Sequence, residues 1–162
     1  MPWFKKSSGE EPPDGSQPVP DGPVDQADPV LEPLTSAEVD WVRSSIAELS
    51  EQDVRFGDID DLGRHYDEML NAWLRLDEPH RPDPNPIINQ IGLAFGQYVA
   101  DQARLDWTVA TDAHGTEIAL HRERGNVLIY PTDLVAKRWA AHDRGVLAPL
   151  ARNLVATVDD LR

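Results

Sequence analysis

The stretch Leu105-Asp106-Trp107-Thr108-Val109-Ala110-Thr111-Asp112-Ala113-His114-Gly115-Thr116-Glu117-Ile118-Ala119-Leu120-His121, continued to Tyr130, decides the fold class. Before it, apolar residues recur at helical spacing; within it they alternate. Trp107, Val109 and Thr111 fall on one side of an extended chain, and Ile118 and Leu120 alternate with Glu117, Ala119 and His121. A period near two is the signature of a half-buried strand. Asp112-Ala113-His114-Gly115 supplies turn chemistry, with Asp closing a local hydrogen bond and Gly accepting φ > 0. A second turn at residues 123–126 precedes a short apolar run, 127–130, ended by Pro131. Three runs joined by two short turns predict a three-stranded antiparallel β-meander. One apolar sheet face needs cover, and helices are the material at hand. The predicted class is α+β.

Working outward, Thr35-Ser36-Ala37-Glu38 reads as a capping box, in which the hydroxyl accepts an N–H and Glu38 reaches back. Val39, Val42, Ile46 and Leu49 then predict a helix over about 36–50. A second helix, about 58–76, gathers Ile59, Leu62, Tyr66, Met69, Leu70 and Trp73 on one stripe. Asp58, Asp60, Asp61, Asp67 and Glu68 read as its solvated face, and His65 as a boundary residue. A third helix, about 86–103, buries Ile88, Ile91, Phe95 and Val99. Its Gly92 and Gly96, one turn apart, each cost roughly 1 kcal/mol against Ala. They imply either tight packing or a ligand crevice. After the sheet, Thr132 is expected to cap a helix carrying Leu134, Val135 and Trp139. A last helix over about 146–161 carries Leu147, Leu150, Leu154 and Val158.

Residues 1–33 hold 8 of the 14 prolines and a net charge of −5. Such a segment cannot offset the roughly 1–2 kcal/mol per residue of backbone ordering, so a disordered acidic Pro-rich tail is expected. Its tip, Trp3-Phe4-Lys5-Lys6, is either a docking motif or an incidental terminus. Residues 34–162 suit a single α+β domain. It divides into a helical pair at 34–80, a proline cluster (Pro79, Pro82, Pro84, Pro86), and a core at 84–162.

Composition narrows the chemistry. The chain of 162 residues carries 29 acidic against 15 basic side chains, a formal charge of −14, and no cysteine. That excludes a disulfide framework, a Cys-based zinc module and a thiol nucleophile. No run of roughly 18 apolar residues offers a membrane span. The first residues lack the apolar core of a secretory signal, so a cytoplasmic location is expected. The negative charge argues against a nucleic-acid partner and favours a basic protein partner. There is no phosphate-cradling glycine loop, no G-x-S-x-G elbow and no H-E-x-x-H.

Four pieces, in order and spacing, resemble one family. They are Ile91-Gly92-Leu93-Ala94-Phe95-Gly96, Leu105-Asp106-Trp107, Asp112-x-x-Gly115-x-Glu117-Ile118-Ala119-Leu120, and Pro131-x-x-x-Val135-x-Lys137-Arg138. The pattern is similar to the bacterial, mainly actinobacterial, domain of unknown function 3806, over about residues 84–161. The resemblance implies a small cytoplasmic α+β domain and carries over no catalytic residue. Trp107, Lys137 and Arg138 match its pattern.

No catalytic residue, metal ligand or cofactor is assigned. Lys137, Arg138, Trp107 and Asp112 are the candidate binding residues. Two adjacent cations in an acidic protein suit a phosphate or carboxylate, arginine especially through its bidentate fork. Neighbours on a helix point about 100° apart, so one is expected to turn inward and pair with an acid such as Asp106 or Asp112. Asp112, His114 and His121 are the best metal or acid–base set, though turn chemistry alone explains Asp112. Two functions follow as expectations. The first is a non-enzymatic protein-interaction or regulatory module. The alternative is a small enzyme or anion sensor using a crevice between the third helix and the sheet, with Trp107, Tyr130, Trp139 and Arg138 lining it.

Overall fold

The computed structural model describes residues 27–161. The expected disorder of the tail and the Trp3-Phe4-Lys5-Lys6 tip therefore fall almost wholly outside the described residues. Among those residues the chain order is β1 (Val30–Glu32), α1 (Ser36–Glu51), α2 (Ile59–Arg75), a 3-10 turn (Glu78–His80), α3 (Asn85–Ala103), β2 (Asp106–Asp112), β3 (Gly115–Arg122), β4 (Val127–Ile129), α4 (Pro131–Ala140) and α5 (Leu147–Asp160).

Helix α3 is the hub, in contact with each of the other four helices. Ten of its 19 residues are buried, from Ile88 to Ala103. A helix apolar on so many sides has to lie inside the others rather than on the surface. Phe95, Leu93 and Ile91 are its deepest side chains. Burying each contributes roughly 1.5–3 kcal/mol. One connected cluster runs from Val42, Ile46 and Leu49 of α1 through α2, α3 and α4 to Leu147 and Val158 of α5, and takes in Leu120, Val127 and Ile129 of the sheet.

The sheet has four strands in the order β1-β2-β3-β4, all antiparallel. This corrects the expected three. The added strand comes from residues 30–32, inside the segment assigned to the tail. Val30–Glu32 pairs with Thr111, Ala110 and Val109, and Thr108 Oγ1 donates to the Glu32 carbonyl at 3.0 Å. A long-range partner supplies the hydrogen bonds that so short a run cannot provide for itself. The first hairpin turn falls on the expected residues: Asp112 pairs with Gly115, leaving Ala113 and His114 between the strands.

The helix starts follow from local chemistry. Thr35 Oγ1 accepts the Glu38 N–H at 3.3 Å and donates to the Glu38 carboxylate at 2.9 Å, so the carboxylate meets the hydroxyl rather than the backbone. Asp58 caps α2 by accepting from the N–H groups of Asp60 and Asp61. Thr132 is not a cap. Helix α4 begins at Pro131 with Tyr130 before it, and proline suits a first position because its missing N–H has no intrahelical use. Asp61 is also reassigned, since it is buried at 6% exposure instead of lying on a solvated face.

Candidate functional site

One face of the sheet packs on the core cluster. Cross-strand partners point to the same face, so the register sorts the side chains. Trp107, Val109, Ile118, Leu120, Val127 and Ile129 share one face, and all but Val109 belong to or pack on the core cluster. The other face carries Thr108, Ala110, Ala119, His121, Leu128 and, from β1, Leu31. None of these six joins the core cluster. Thr108, Ala110 and Ala119 are small and shielded by their neighbours, while Leu31, His121 and Leu128 stay partly exposed.

Carboxylates rim this open face. Asp106 and Asp112 end β2, and Glu117 stands on β3 opposite Ala110. Partial desolvation by its neighbours raises the Glu117 carboxyl above its usual range, and the like charges of Asp133 and Asp112 add to that, with Lys137 opposing. The Glu117 carboxylate makes no hydrogen bond or ion pair among the described residues. Burial also raises the nearby Tyr130 phenol, with Asp112 and Glu117 contributing. The result is a mixed surface, with small and apolar side chains in the middle, carboxylates at both ends of β2, and Glu117 within reach of Lys137's charge.

The four candidate binding residues divide. Asp112 and Lys137 meet electrostatically around Glu117. Asp112 also holds the hairpin turn, its Oδ1 accepting from the N–H groups of His114 at 2.7 Å and Gly115 at 3.2 Å. Gly115 has φ 137°, as the turn reading required. Lys137 is exposed and pairs with Asp133 one turn back at 2.9 Å. That corrects the expected pairing with Asp106 or Asp112: a carboxylate four residues away on the same helix is nearer than any on the sheet.

Arg138 points elsewhere. It is half-buried, makes no ion pair among the described residues, and acts on the Tyr66 phenol. That phenol is pushed up to about 12, chiefly by burial and then by Asp67 and Asp143. Tyr66 packs edge-on against Trp139, with ring centroids 5.9 Å apart. Trp107 lies on the covered face, its indole N–H donating to Gln97 of α3 at 3.0 Å.

The set Asp112, His114 and His121 does not converge. Asp112 is at the hairpin end, whereas His121 pairs with Asp106 at the far end of the same two strands. Six residues of strand separate Gly115 from His121, about 20 Å at the usual rise. Among the described residues, no three His, Cys, Asp or Glu side chains are grouped to hold a metal ion.

The space between α3 and the sheet is occupied. A Cβ on Gly92 would stand 2.8 Å from Thr132 Cα, and one on Gly96 would stand 2.5 Å from the Trp107 ring and 2.8 Å from Pro131 Cγ. The two glycines let α4 and β2 approach the α3 backbone closely. No helix among the described residues is long and apolar enough to cross a membrane.

These features define a class: an α+β domain with a buried central helix and a four-stranded antiparallel sheet covered on one side. Residues 69–148, just under half of the chain, match the model of the family described as a domain of unknown function, DUF3806. The matched segment runs from the second half of α2 through α3, the β2–β4 meander and α4 to the first turn of α5, which leaves β1 and α1 outside. No curated protein and no solved structure matches the chain.

Proposed function

We propose that this protein is a non-enzymatic interaction or regulatory module, and that it docks its partner on the face of the sheet turned away from the core cluster. The observation that carries the reading is a sheet face outside the core cluster, with Leu31 and Leu128 partly exposed on it and the carboxylates of Glu117, Asp106 and Asp112 around it. Its partner is a polypeptide segment with basic side chains placed beside apolar ones. Apolar contact supplies affinity, while the carboxylates speed encounter and penalise acidic competitors. An incoming Lys or Arg would give Glu117 a close ion pair, where within the described residues Lys137 acts on it only at longer range.

The test uses two baits in native lysate at low salt, the wild-type chain and Leu128→Asp, with folding of both checked by circular dichroism. A basic partner retained by the wild type, released by moderate salt and lost with Leu128→Asp is the expected result. Hydrogen exchange on that complex should then slow in β3 and β4. Equal recovery by both baits, or protection confined to the helices, overturns the assignment of this face.

A further inference from the structure

A second surface feature stands apart from the open sheet face. Where α3 and α5 end, a cleft of about 430 Å³ is lined by Gln102, Arg104, Arg122, Arg124, Asp159 and Leu161, together with Ala103. Three guanidinium groups face one carboxylate there, in a chain whose formal charge is −14. Clefts that hold small ligands run about 300–1,000 Å³.

Arg122 forms the fixed floor. Its Nη2 donates to the Val158 carbonyl at 2.7 Å and to that of Leu161 at 3.0 Å. Its Nη1 reaches the Ala103 carbonyl at 3.4 Å, and its Nε reaches that of Arg124 at 2.9 Å. A guanidinium has five N–H donors, so one stays available. These bonds also engage the terminal carbonyls of both helices, whose partial negative charge would otherwise repel an anion. Arg122 itself makes no ion pair with a carboxylate among the described residues.

Arg104 and Arg124 form the walls. Both are exposed, and neither makes an ion pair among the described residues. Arg104 closes α3 in the left-handed conformation, at φ 56° and ψ 55°. Glycine or asparagine is the usual residue there, because a larger side chain carries a steric cost. That cost is borne at a position which puts a cation at the mouth of the cleft.

We infer that this cleft is an anion site for a small phosphate-bearing solute. Arg122 presents one fixed donor and charge, and Arg104 and Arg124 close over the remaining oxygens. Planar guanidinium forks match the oxygens of a tetrahedral phosphate. Asp159 is the internal competitor, weakening an incoming anion at the cleft wall. The open sheet face plays no part in this site, so the two readings stand or fall separately.

The probe is inorganic pyrophosphate, titrated calorimetrically into the full chain, with potassium chloride at matched ionic strength as the control. Arg104→Gly suits the test because glycine accepts φ 56° without strain, so the guanidinium is removed and the fold is kept. Arg124→Gln completes the double variant. The expected result is saturable binding to the wild type, a rise in melting temperature that chloride does not reproduce, and a loss of about tenfold or more in affinity for the double variant. Asp159→Asn should bind several-fold more tightly, in the direction set by removing a like charge. Unchanged affinity in the double variant, an equal rise with chloride, or no saturation of the wild type overturns the proposal.

Discussion

Gly96 of α3 and Trp107 of β2 are so close that a single methyl group on the glycine would stand 2.5 Å from the indole ring. The indole cannot swing away freely, because its N–H is bonded to Gln97 on the same helix. Pro131 closes the other side at 2.8 Å. Sheet, central helix and α4 therefore meet at one residue without a side chain.

Gly96→Ala is expected to lower stability by about 1–3 kcal/mol, as overpacking in a dense core does, despite the helix propensity it gains. Gly92→Ala should cost at least as much, since its obstruction is the Thr132 backbone at 2.8 Å. The contrast is Gly63 in α2, where a new Cβ would lie 3.7 Å from its nearest neighbour. Gly63→Ala should stabilise by about 0.5–1 kcal/mol through backbone entropy alone. Urea denaturation of the three variants checks the order, and a destabilising Gly63→Ala would show that α2 and α5 pack more tightly than these distances.

A second prediction concerns Asp61. Its carboxylate accepts the Arg55 N–H at 2.8 Å and pairs with Arg64, which holds its pKa below the usual range against the opposing effect of burial. A depressed carboxylate contributes stability that is present above its unfolded pKa and is lost as pH falls through the folded one. His65 acts in the same direction at higher pH. Burial lowers its pKa, so the unfolded chain takes up its proton first and stability falls as pH drops below the usual histidine value. Denaturation midpoints should therefore fall in two stages on acidification. His65→Gln should remove the earlier stage and Asp61→Asn the later, with Asp61→Asn also less stable at neutral pH. A midpoint insensitive to acid in the wild type contradicts both assignments.

What was legible beforehand follows from where the information lies. The β2–β3–β4 meander is written in alternation, Trp107, Val109 and Thr111 against Ile118 and Leu120, and the register keeps those residues on one face. Strand β1 has no such signal, because three residues between Pro29 and Pro33 become a strand only through their partners eighty positions away. Asp61 looked solvated because nothing local shows that the chain before Asp58 turns back to offer it the Arg55 N–H. The second face was invisible for a related reason: alternation distinguishes two faces but does not say which of them the core takes. Arg104, Arg122 and Arg124 are assembled by a helix end and a hairpin, so no spacing along the chain marks them as a group.

The adjacent cations of α4 are expected to behave as ordinary surface charges. Lys137 and Asp133 are both largely exposed, and such pairs are worth about 0.3–0.5 kcal/mol. A double-mutant cycle on Lys137→Ala and Asp133→Ala should return a coupling of that size at low salt and almost none at high salt. Arg138→Ala, with no carboxylate within ion-pair distance, should change stability by less than about 0.5 kcal/mol. A loss of several degrees in Tm for Arg138→Ala would instead mean that its stem supports the Tyr66–Trp139 pair.

Glu117 links the sheet surface to its partner through one charge. Its pKa is raised by partial desolvation and by Asp133 and Asp112, so the folded chain holds this proton more firmly than the unfolded one. The stability this contributes is present below the unfolded pKa and is lost as pH rises through the folded value. Glu117→Gln removes the repulsion, so the variant should match the wild type in acid and exceed it slightly at neutral pH, within about 0.5 kcal/mol for so exposed a group. Binding should move the opposite way. A basic partner on the open face loses its counter-charge in Glu117→Gln and should associate more slowly, most visibly at low salt. Stability profiles across pH and association rates across salt concentration separate the two effects. A variant that is more stable at neutral pH yet binds the recovered partner at an unchanged rate would remove Glu117 from the docking surface.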